Sequence, residues 1–186
     1  MGTNYIDSSV TREATMVFFR ALLTLSWFSF VLMADGSQAQ SIPPEGPLSV
    51  TYTATQTMPA KPMSIGGRRE FVVLNMAMTA SNDTGNPVLN NMVGRCQLTR
   101  LTDASVNSVE LHGFCTYVDN GGDQIFEQCD FLPGAPNNCK LTGGTGKFEG
   151  LEASIVITSM PLKGNYDNIA QAIGHKKGTY KIVKTQ

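Results

Sequence analysis

Charge is scarce in this 186-residue chain: Asp, Glu, Lys and Arg make up only 16% of it, and the net charge is −1. Without a basic excess there is nothing to neutralise a phosphate backbone, which argues against nucleic-acid binding. Without an acidic run there is no solvated tail. Histidine is limited to His112 and His175, and no two cysteines stand in a C-x-x-C spacing, so a structural metal is not expected. The one tryptophan, Trp27, lies near the N-terminus. No apolar run reaches the roughly 20 residues that a membrane-spanning helix needs.

Enzyme motifs are also missing. There is no Gly-x-Ser-x-Gly elbow for an acyl-transfer serine. The segment Gly143–Gly150 is glycine-rich, but Phe148 stands where a phosphate loop needs Ser or Thr, and Glu149 where a dinucleotide fingerprint needs Gly. Its glycines instead fit positive φ and close backbone approach at a tight β connection. No cofactor is expected.

The apolar run is Ala21–Met33, preceded by Arg20 and followed by Ser37 and Ala39. Small residues two apart after such a run fit a signal peptide cleaved after Ala39, with export to the periplasm or the medium and no membrane insertion after cleavage. Residues 1–20 carry no net side-chain charge, whereas a start at Met16 gives a short positive n-region, so Met16 is the expected initiator.

Four cysteines follow: Cys96, Cys115, Cys129 and Cys139. An even count in an exported chain reads as two disulfides. A hairpin turn centred near Ser105 and Val106 sets Cys96 opposite Cys115, at a separation a disulfide can bridge. Cys129–Cys139 then clamps the loop containing Pro133-Gly134 and Pro136.

Gln40–Pro47 reads as a mobile lead-in. Beyond it, short alternating runs recur: 48–54, 68–80, 88–101, 108–118, 123–131, 139–142, 151–160 and 177–184. Asp119-Asn-Gly-Gly122 is a hairpin turn signal. Tyr166–Gly174 reads as a loop or one helical turn. Short, regularly spaced strands and no long helix mean an all-β domain over residues 48–186: a sandwich or, at this length, an eight-stranded antiparallel β-barrel.

Tyr52, Phe71, Met76, Phe114, Tyr117 and Phe126 are the candidate inward residues, either enclosing a small hydrophobic molecule or filling the barrel as core. Glu127 with Tyr117 or Arg100 is the candidate catalytic set for a cofactor-free cyclase or isomerase in the same cavity. A structural or assembly role remains a third reading. Asp119, Asp123, Glu127 and Asp130 cluster about one hairpin, an arrangement open to acid–base work, Ca²⁺ binding or plain solvation. His112 faces away from Cys115, and His175, followed by Lys176 and Lys177, reads as a solvated loop.

The stretch Leu141-Thr-Gly-Gly-Thr-Gly-Lys-Phe-Glu-Gly-Leu-Glu-Ala-Ser154 resembles the Gly-Gly-(Ser/Thr)-Gly-x-Phe-x-Gly signature of the allene oxide cyclase and dirigent barrel superfamily. Asn86–Cys96, His112–Asp119, Gly122–Glu127 and Gly178–Ile182 are similar to exported bacterial members of that group. The resemblance covers most of residues 48–184. It implies an eight-stranded antiparallel barrel, often oligomeric in the plant proteins, that shapes a cavity around a reactive hydrophobic molecule. The matching motifs do not carry the cyclases' polar cavity residues, so no catalytic role is transferred. Lipocalins, a rival eight-stranded family, usually carry a Gly-x-Trp that the segment after Ala39 lacks.

Overall fold

A computed structural model describes residues 41–162 and 169–183. The signal-peptide and initiator expectations fall on residues outside these. Within them the chain is all-β: β1 (Glu45–Gln56), β2 (Met63–Ser64), β3 (Arg69–Asn82), β4 (Met92–Asp103), β5 (Ser108–Val118), β6 (Gln124–Phe131), β7 (Asn138–Gly144), β8 (Leu151–Pro161) and β9 (Gln171–Ile182). One 3₁₀ turn, Gly146–Phe148, joins β7 to β8. Among the described residues no helix is long and apolar enough to cross a membrane.

Eight of the strands close into an antiparallel barrel. The sheet runs β1-β9-β8-β7-β6-β5-β4-β3, and β3 pairs back onto β1 from Val50↔Asn82 to Gln56↔Met76. Closure removes the unpaired edges that an open sheet would expose. The two-residue β2 flanks the start of β3. Each strand sends alternate side chains inward, so β1 buries Leu48, Val50, Tyr52, Ala54 and Gln56, while Ser49, Thr51, Thr53 and Thr55 face out.

Local chemistry sets the register. Asp119 Oδ1 accepts from the backbone N–H of Gly121 (2.8 Å) and of Asp123 (3.0 Å), which fixes the β5–β6 turn. The β4–β5 loop is centred on Ser105 and Val106, and it brings Cys96 opposite Cys115. Cys129 pairs with Cys139 across β6 and β7. Both pairs are disulfide-bonded, and the described residues hold no free cysteine. In the glycine-rich connection, Gly150 has φ 74°, and a Cβ there would lie 2.0 Å from the Val183 carbonyl oxygen, so only glycine fits. A one-residue register shift between β6 and β7 falls at Phe126/Glu127. It leaves Thr142 as the extra residue beside Gly143.

Two sequence readings need correction. The lead-in is ordered from Glu45, which pairs with Lys181 on β9. Pro47 is tolerated there because β1 has only β9 as a neighbour until its pairing with β3 begins at Val50. The last strand begins at Gln171 rather than Lys177, so His175 and Lys176 belong to a strand and not to a loop. Part of the Tyr166–Gly174 reading, residues 166–168, lies outside the described residues.

The barrel is filled at one end only. Leu48, Val50, Met92, Ile125, Leu151 and Tyr180 are buried there, joined by Phe148 from the 3₁₀ turn and by Val88 and Leu89 from the β3–β4 loop. Asn82 ties that loop down, its Nδ2 donating to the Val88 carbonyl at 2.8 Å. At the opposite end, the inward positions of the same strands surround a cavity.

Candidate functional site

The cavity measures about 440 Å³, within the range of small-molecule sites. Its wall is mostly aliphatic: Ala54, Leu74, Met76, Met78, Leu98 and Ile157 project into it, with Leu111 and Phe131 nearby. Both disulfides contribute, through Cys96, Cys115 and Cys129. At the rim, Gln56 is held by two bonds. Its Nε2 donates to the Met58 carbonyl (2.6 Å), and its Oε1 accepts from the Ala170 N–H (3.2 Å).

Three polar side chains, Lys176, Glu127 and Tyr117, meet at the floor, where the cavity adjoins the packed half. Lys176 on β9 and Glu127 on β6 are 1% exposed each. Lys176 Nζ donates to Glu127 Oε1 (2.6 Å), to Oε2 (2.5 Å) and to the Tyr117 hydroxyl (2.8 Å). Tyr117 in turn donates to Glu127 Oε2 at 3.2 Å. The three ammonium protons are thereby used, as a buried cation requires. The rings of Tyr117 and Tyr52 also face Nζ, with centroids at 4.9 and 5.3 Å.

Glycine makes room for both rings. Tyr52 pairs across β1–β9 with Gly174, and a Cβ at Gly174 would lie 2.6 Å from the Tyr52 hydroxyl. Tyr117 pairs with Gly94, where a Cβ would meet the ring at the same distance, 2.6 Å. Gly174 and Gly178 flank Lys176 on the inward face of β9, leaving the lysine as the one long side chain in that stretch.

Burial governs the electrostatics. It lowers the pKa of Lys176 below the usual lysine value, although the Glu127 carboxylate opposes the shift. Burial, then the Glu127 charge, pushes the Tyr117 phenol well above its ordinary value. Burial also raises Tyr52.

The sequence candidates divide by strand parity. Tyr52 and Met76 line the cavity, and Tyr117 lies in its floor. Phe114 (68% exposed) and Phe126 (37%) point outward, because each immediately precedes an inward residue, Cys115 and Glu127. Phe71 is also on the outer face, half-buried opposite Met63 of β2. Of the catalytic candidates, Glu127 and Tyr117 are hydrogen-bonded, and Arg100 lines the cavity with a buried Nε that has no hydrogen-bond partner among the described residues.

The carboxylate cluster does not converge. Glu127 faces the lumen, Asp130 meets His112 on the outer face (2.8 Å), and Asp119 is ion-paired with Lys147. His175 lies outside as well, 3.2 Å from Thr51 Oγ1. Cys115, Glu127 and Cys129 stand within 4.8 Å of one another, but both sulfurs are committed to disulfides and offer no thiolate to a metal. The residue the sequence reading missed is Lys176. Its signal was the inward parity of Tyr180 carried back four positions along β9.

No family model matches the chain, and no curated protein matches it.

Proposed function

We propose that the barrel is an exported binding module that takes one small, largely apolar molecule into its half-empty lumen. The observation that carries this is the contrast between the two halves of the interior: one packed solid, the other an aliphatic cavity of about 440 Å³ closed by a charged floor. A barrel with a purely structural role would gain from filling that volume. The floor gives the ligand an orientation, apolar body along the wall and any polar end at Lys176, Glu127 and Tyr117. Two disulfides and the apolar run Ala21–Met33 support export. The barrel topology and the Gly143–Gly150 signature support kinship with the allene oxide cyclase and dirigent group.

The floor itself favours a second reading, a cofactor-free isomerase or cyclase. A carboxylate, an ammonium and a phenol meet at one wall of an apolar cavity, where proton transfer to a bound molecule needs no cofactor.

Native mass spectrometry of the disulfide-intact protein from its own host tests the binding reading. One co-purifying apolar molecule per chain is expected. A bare chain that also fails to take up added decanol would overturn it.

A further inference from the structure

We propose that Lys176 captures carbonyl compounds, so that the ligand class is an apolar aldehyde or ketone held as a Schiff base at the cavity floor. The inference rests on the binding reading above and names its ligand. Lys176 is the only lysine among the described residues that lines the cavity, and it sits between Tyr52, Tyr117 and Glu127 rather than in solvent. A desolvated lysine beside a base is how proteins make an amine nucleophilic. Burial favours its neutral form, and Glu127, in contact through both oxygens, stands ready to take the proton.

The chemistry balances with the groups present. The Lys176 ammonium passes one proton to Glu127. The neutral amine adds to the carbonyl carbon, forming the C–N bond, and the nitrogen, now carrying the positive charge, gives one of its protons to the carbonyl oxygen, which becomes a hydroxyl. The proton first taken by Glu127 then passes to that hydroxyl, the C–O bond breaks, the oxygen leaves as water, and Glu127 is a carboxylate again. The product is a protonated imine. Its single positive charge replaces that of the ammonium, so the ion pair with Glu127 survives the reaction. No oxidant, reductant or metal is consumed. The arrangement also gives a use to a buried ion pair that would otherwise cost desolvation without return. The apolar wall selects the rest of the molecule.

The test is reductive trapping. The disulfide-intact protein is treated with substoichiometric decanal and cyanoborohydride, and the alkylated lysines are located by peptide mapping. Binding of decanol, which fits the cavity but cannot form an imine, is followed in parallel by native mass spectrometry. The adduct on Lys176 is expected to exceed that on its exposed neighbour Lys177 by about tenfold, because bound decanal is held beside Nζ instead of meeting it by collision. Lys176→Met abolishes the lumen adduct. Glu127→Gln keeps the amine but removes the base, and slows trapping by about 100-fold. If decanol binds but decanal labels Lys177 as much as Lys176, the carbonyl inference falls and the binding reading stands. If neither compound binds, both fall. The wild-type mapping decides the matter even should a variant fail to fold.

Discussion

Lys176 and Glu127 meet across the barrel lumen with Nζ 2.6 Å from one carboxylate oxygen and 2.5 Å from the other, although β7 and β8 separate their strands along the sheet. The contact therefore depends on the curvature of the sheet that the barrel imposes. Removing one partner leaves a charge in a dry interior, which costs about 3–5 kcal/mol. Lys176→Met and Glu127→Leu alone should each lower the urea midpoint by that equivalent. The double variant should recover most of it, and adding Tyr117→Phe removes the hydroxyl that would then lack partners. Single variants as stable as wild type would show that the pair is not buried.

The disulfides span 19 and 10 residues and sit directly across paired strands. Closing loops of this size restricts the unfolded chain by about 3 kcal/mol each. Replacing Cys96 and Cys115 together by Ser, or Cys129 and Cys139 together, should lower stability by about that amount. Thiol titration of the unfolded wild-type protein should find no free cysteine. Reactive thiols, or stability indifferent to reductant, would contradict the pairing.

Alkaline pH separates Tyr117 from Lys176. An unfolded tyrosine loses its proton near pH 10.0, whereas buried Tyr117 keeps it to well above that. Above pH 10 the folded state then binds more protons, so this group's stability contribution falls as pH rises. Lys176 acts in the opposite sense. Its folded value is depressed below 10.5, so below that pH the unfolded chain binds more protons and stability rises with pH. Tyr52, raised by burial as well, adds a fall of the same sign. Tyr117→Phe should therefore shrink the fall to the part Tyr52 supplies and keep the rise, read from urea midpoints across pH 8–12. It should also remove the most alkaline phenolate step in an ultraviolet titration. An unchanged profile would place Tyr117 in contact with water.

The barrel was legible because a period of two, repeated between turn signals, has few closed solutions, and because Cys96 and Cys115 are equidistant from the Ser105–Val106 turn. Glu127 and Tyr117 could be joined for a similar reason. The Asp119–Asp123 turn sets Cys115 opposite Glu127 and Tyr117 opposite Ile125, which makes the two diagonal neighbours on one face. Aromatic character does not place Phe114 and Phe126 in the lumen, because strand parity overrides it: an inward Cys115 forces Phe114 out, and an inward Glu127 forces Phe126 out. Lys176 was hidden by its company. His-Lys-Lys carries the polarity of a solvated loop, and nothing local reveals that the middle residue has a carboxylate waiting across the lumen. The cavity itself depends on side chains from most of the barrel strands ending short at the same height, which no single segment encodes.

Occupancy of the lumen is the central claim, and titration with the neutral fluorescent probe N-phenylnaphthylamine tests it most directly. Ala172 is half-buried and lines the cavity, so Ala172→Phe puts a ring into that space. Wild type should bind one probe per chain saturably, and decanol should displace it. Ala172→Phe should lose about tenfold or more in affinity, for a stability cost of about 1–3 kcal/mol at most. Equal binding by both proteins, or none by either, would contradict the account.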